Sequence, residues 1–173
     1  MGCFMGKKKI LVLVSALFML SSAFAGSLNF QVVQRSSTLK DVCESSLVVE
    51  DEILNYFFDA GYIVSNSQSA ASVSDKEDSK LWNTGLSDSA EGSFDYFVQI
   101  KLILNNDVSS KETPCGLGNF NKLSWKLVSV KTGKVIEESS KKIDRPVGLD
   151  TEANVRDFAA DFAYHLRKTL RKA

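Results

Sequence analysis

The chain has 173 residues, 21 of them basic and 21 acidic, with 44% hydrophobic and 10% aromatic content. That is the length of one domain, and its apolar content argues against a mostly disordered chain. Balanced charge argues against non-specific nucleic-acid binding, which needs a basic surface, and a single His with three Cys argues against a multi-ligand zinc site.

The first 25 residues read as an export signal. Lys7, Lys8 and Lys9 form a positive segment, Ile10 to Leu20 is an apolar run broken by Ser15, and small residues stand at Ala23 and Ala25. This pattern predicts a secretory signal peptide cleaved after Ala25. The apolar run falls short of the roughly 20 residues of a spanning helix, so no integral membrane span is expected after cleavage. Cys3 lies before the apolar run, and Gly26 stands where a lipoprotein carries its acylated Cys. A periplasmic or secreted chain without a lipid anchor is the expectation, with residues 26–173 as a single α/β domain. Cys43 and Cys115 remain in it. In an oxidising compartment they form one disulfide, or they stay as two buried thiols.

Leu28 to Gln34 alternates as a strand does. Val42, Ser46, Val49, Ile53, Phe57 and Ala60 recur at spacings of three and four, which predicts an amphipathic helix, stopped by Gly61. Tyr62 to Val64 is a short strand. A Ser- and acid-rich segment at 67–92 follows, expected as a weak helix or a mobile excursion. Its large apolar residues are Leu81, Trp82 and Leu86. The segment is a solvated connection, or a partner-binding loop in which these three are the anchors, since Trp is a frequent anchor at interfaces.

Phe94 to Leu104 predicts a strong strand with Phe94, Tyr96, Val98, Ile100, Leu102 and Leu104 on one face. Leu123 to Val130 is the next strand, Lys131 to Lys134 a tight turn using Gly133, and Val135 to Ile143 the hairpin partner. Arg145-Pro146 breaks the sheet. Thr151 is the expected N-cap of a last helix with the stripe Val155, Phe158, Ala159, Phe162, Leu166 and Leu170. The order β-α-β-(α)-β-β-β-α predicts an α+β domain: a small mixed sheet, a parallel pair plus an antiparallel meander, with helices packed on it.

Catalytic patterns are weak. Ser-x-x-Lys occurs at Ser37 and Ser139, as often as this Ser and Lys content gives by chance. His165 is the only candidate base for a nucleophile, and no G-x-S-x-G elbow presents one. Glu137 and Glu138 are strand neighbours facing opposite ways, and Asp75, Glu77 and Asp78 read as a solvated run. No phosphate-binding glycine loop is present, and no cofactor is expected.

The succession of a helix into Ala60-Gly61-Tyr62-Ile63-Val64, then Phe94 to Ile100, then Val128 to Ile136, then a helix around Phe158, Phe162 and Leu166, resembles one envelope-protein family. It is the domain of CsgG, the penicillin-binding-protein activator LpoB and the N-terminal domain of TolB, and the likeness covers residues 28 to 171. The resemblance implies a small mixed sheet with flanking helices and a non-enzymatic module that binds an envelope protein. It carries over no catalytic residue. The expected function is an exported binding module that regulates a cell-wall synthase or assembles an envelope complex. The alternatives are a structural subunit of an envelope or appendage assembly, for which self-association is expected, and a small hydrolase using His165.

Overall fold

The computed structural model describes residues 26–37, 39–104, 119–143 and 151–173. The signal segment, Cys115, the loop containing Pro114 and the Arg145-Pro146 break lie outside them. The elements in chain order are β1 (Ser27–Arg35), α1 (Glu44–Asp59), β2 (Ile63–Ser72), α2 (Asp75–Glu91), β3 (Tyr96–Leu104), β4 (Phe120–Ser129), β5 (Val135–Lys142) and α3 (Glu152–Leu170). The α+β class and the element order are those expected from the sequence.

The strands form one sheet in the order β2-β1-β3-β4-β5. β1 pairs parallel with both β2 and β3, and β3, β4 and β5 form an antiparallel meander. The parallel part is therefore three strands with β1 at its centre, where the sequence predicts a pair. The steps from β1 to β2 and from β2 to β3 run in opposite directions across the sheet. Right-handed crossovers then put α1 and α2 on opposite faces.

One face carries the apolar core. Leu28, Phe30 and Val32 of β1, Val98, Ile100 and Leu102 of β3, and Leu123, Trp125 and Leu127 of β4 pack with Val49, Ile53 and Phe57 of α1 and Val155, Ala159, Phe162 and Leu166 of α3. Each Val, Leu, Ile or Phe among them contributes about 1.5–3 kcal/mol on burial.

α1 has no side-chain cap of its own at Cys43. Gln34, fully buried on β1, supplies it: its Oε1 accepts from the Cys43 backbone N–H at 2.7 Å and from the Ser46 hydroxyl at 3.0 Å. Its Nε2 donates to the Asp41 carbonyl at 2.9 Å. At the other end Gly61 adopts φ 83°. The Tyr62 N–H reaches the Phe57 carbonyl and the Gly61 N–H reaches the Phe58 carbonyl, each at 3.0 Å, which is a Schellman stop.

β2 is longer than the Tyr62–Val64 strand expected. It runs to Ser72, and only its pairing with β1 marks it, since Ser65 to Ser72 has no apolar alternation. The segment 67–92 is thus the second half of β2 followed by the 17-residue helix α2. Ser74 caps α2 by accepting from the Glu77 N–H, and the Glu77 carboxylate accepts from the Val73 N–H at 2.7 Å. Among the described residues, no helix is long and apolar enough to cross a membrane.

Candidate functional site: a polar groove beside α2

The face under α2 mixes apolar and polar side chains: Val33, Phe97 and Val128 are buried on it. Asn29 and Gln31 of β1 and Gln99 of β3 are buried there, so these alternate strand positions meet protein and not water. Asn29 donates to Ser89 of α2 at 2.8 Å and to Ser67 of β2 at 3.2 Å. Gln99 donates to Gln31 at 3.2 Å. Buried polar groups demand such partners, and once satisfied they specify one docking position for the helix.

Gly85 sets how low α2 sits. A Cβ at this position would stand 2.9 Å from Phe97 Cε2 and closer still to Cζ. One turn earlier, Trp82 lies against the same ring, with centroids 5.2 Å apart. The Lys126 ammonium of β4 stands 4.9 Å above the indole, within cation–π range, and also pairs with Glu138 of β5 at 3.3 Å.

Asp78 anchors the other end of this helix face. Its carboxylate meets Lys101 of β3 at 2.6 Å and Arg35 of β1 at 3.2 Å, and accepts from the Ser72 hydroxyl. Burial pushes its pKa up, but the hydrogen bonds from Lys101 and Ser72 and the charges of Lys101 and Arg35 outweigh that. They hold the carboxyl below its usual range. Asp78 is buried, so the expectation of a solvated acidic run holds for its neighbours Asp75 and Glu77 only.

α2 covers only part of this face. Beyond it lies a groove of about 630 Å³, with Asp78, Trp82 and Asn83 on the helix wall and Lys101, Lys126 and Glu138 on the sheet floor. Of the three expected anchors, the fold brings Trp82 to this groove. Leu81 and Leu86 are half-buried on α2 and do not line it. Cys43 is half-buried at the start of α1, and its expected partner Cys115 lies outside the described residues. The groove residues that sequence reading missed had one signal: Gln99, Lys101 and Lys126 interrupt the second face of β3 and β4 with polar side chains.

His165 sits on the other face. Its Nε2 lies 2.8 Å from Glu137 Oε1, and Thr169 donates to Glu137 Oε2 at 2.8 Å. The ring packs against Trp125. Burial raises the Glu137 pKa, but the bonds from His165 and Thr169 overcome it and hold the carboxyl below its usual range. Thr169 thus bonds to the same carboxylate that meets the imidazole. Among the described residues, no group of three His, Cys, Asp or Glu side chains is placed to hold a metal ion.

A family model described as "Uncharacterised protein" matches residues 27–163. No curated protein matches the sequence. Among solved structures, the chain is similar to the PelC dodecamer subunit from Paraburkholderia phytofirmans, at 13% identity over 86% of this chain and 90% of that one, with a TM-score of 0.42. It is similar to the LpoB C-terminal domain from Salmonella enterica at 16% identity, 77% and 93% coverage, and a TM-score of 0.39. It is also similar to TolB from Acinetobacter baumannii at 15% identity and a TM-score of 0.41. There the match takes in 86% of this chain but 30% of TolB.

Proposed function

The chain belongs to the family whose model spans residues 27–163, and we propose that it is a non-enzymatic binding module of the bacterial cell envelope. In this reading residues 1–25 direct export, and the groove beside α2 receives a segment of an envelope protein partner. One observation carries the proposal. Trp82 stands half-buried at the groove wall, fixed from below by Phe97 and from above by Lys126. A large aromatic held in one orientation binds with little further loss of side-chain freedom, which is how interface anchors act. Lys101, Lys126, Asp78 and Glu138 around it present both signs of charge, which fits a polar peptide segment better than a lipid surface.

In-cell cross-linking of a C-terminally tagged chain, followed by mass spectrometry, tests this. The expected result is an envelope protein captured by the wild type and lost with Trp82→Ala, while Leu86→Ala keeps it. Capture that does not depend on Trp82 removes the groove from the reading. Recovery of the chain cross-linked only to itself points to a structural subunit instead.

A further inference from the structure

Among the described residues the outer edge of β5 is unpaired, and it carries a charge pattern that complements itself. The strand reads Glu137-Glu138-Ser139-Ser140-Lys141-Lys142, acids at one end and cations at the other. β5 is the last strand of the sheet, and from Glu138 to Lys142 every residue is exposed. The Ile143 N–H donates to the Asn121 carbonyl at 3.0 Å. The alternation of an antiparallel pair then turns the backbone N–H and C=O of Lys142, Ser140 and Glu138 outward, to the open edge.

The two acids differ in availability. Glu137 is taken up by His165 and Thr169 under α3. Glu138 lies on the open face, where its ion pair is with Lys126 and its side chain stays 61% exposed. On that same face Lys142 stands directly opposite Lys122 in the β4–β5 register, and like charges so placed destabilise a sheet. Charges on an edge strand ordinarily repel added strands. A sign change along the strand does the reverse for one class of partner, an antiparallel copy of itself.

We propose that a second copy of this chain pairs with β5, antiparallel and two-fold symmetric about Ser140. Glu138 of each copy then stands opposite Lys142 of the other, on the groove face. The sheet continues through both copies, and Glu138 of each flanks the Lys122–Lys142 pair of the other. Because Glu138, Ser139 and Ser140 line the groove, the two grooves open on the same side and meet at the seam. The pairing stands whether or not the groove binds a partner.

Sedimentation of the purified exported chain tests it, with Glu138→Lys, Lys142→Glu and the double exchange. The wild type is expected to be dimeric at about 50 µM. Each single reversal shifts the dimer–monomer midpoint at least about tenfold toward monomer, since two symmetric contacts turn repulsive at once, and the double exchange restores it. A monomeric wild type at that concentration overturns the proposal. So does a single reversal without effect, or a double exchange that stays monomeric while circular dichroism shows it folded.

Discussion

Gly85 of α2 stands so close above Phe97 of β3 that a methyl group in place of its hydrogen would overlap the ring, 2.9 Å from Cε2. Phe97 is fully buried and has no room to yield. Helix propensity favours Gly85→Ala by about 1 kcal/mol, whereas overpacking costs about 1–3 kcal/mol. The steric term is the larger here. The expected outcome is a lower Tm together with a changed Trp82 fluorescence, because α2 must lift from the sheet. A stabilised Gly85→Ala variant would show that the helix is not seated on Phe97.

Asp78 makes stability depend on pH. Its carboxyl is held below the usual range, so folding favours the ionised form. That contribution is present above the unfolded pKa and is lost as pH falls through the folded one. The denaturant midpoint of the wild type should therefore drop more steeply from about pH 5 to pH 3 than that of Asp78→Asn. Glu137 is lowered in the same direction, so a residual slope remains in the variant. Equal slopes would contradict the ion-pair assignment.

Gln34→Leu should remove the cap that β1 lends to α1. The variant keeps the volume but removes the Gln34 partner of the Cys43 N–H, the Ser46 hydroxyl and the Asp41 carbonyl. Each unsatisfied buried group costs about 1–3 kcal/mol. Chemical denaturation should show a loss of about 2–4 kcal/mol, and amide exchange at Cys43 should quicken. An unchanged exchange rate would place the cap elsewhere.

Two adjacent positions after α2 should respond in opposite directions. Ser93 holds φ 57°, a conformation that glycine adopts at no steric cost, so Ser93→Gly is expected to stabilise by roughly 0.5–1 kcal/mol. Gly92 has an ordinary φ of −74°, but a Cβ there would lie 2.6 Å from the Phe94 ring. Gly92→Ala should lower the Tm. Thermal melts of the two variants decide this, and shifts of the same sign would refute it.

We also propose that Cys43 pairs with Cys115. Thiol labelling of the denatured, unreduced chain should leave both unmodified. Replacing both by Ser should cost about 4 kcal/mol, the chain-entropy value for a loop of about 70 residues. Labelling of both would establish free thiols.

The groove was only partly legible beforehand. Trp82 is a lone aromatic in a polar stretch, and it lines the groove. Asp78 read as one more acid in a solvated run, and nothing local says that Lys101 and Arg35 come to meet it. Ser74-x-x-Glu77 is a helix start signal that the sequence reading above does not use, and the low apolar content of α2 leaves the segment open between helix and excursion. The second half of β2 had no signal at all, because small polar residues form a strand there only through the ladder with β1.

The element order, the apolar faces of α1 and α3, the meander and its Gly133 turn are legible in the residues alone. Those features rest on local periodicity and on turn residues, which act over a few positions. The placing of β1 between β2 and β3, the burial of Asn29 and Gln31 under α2, and the meeting of Trp82, Lys126 and Glu138 in one groove come from the folded chain. Strand neighbours and helix sides are set by crossover handedness and by long-range burial, which a period of two or of 3.6 residues does not encode.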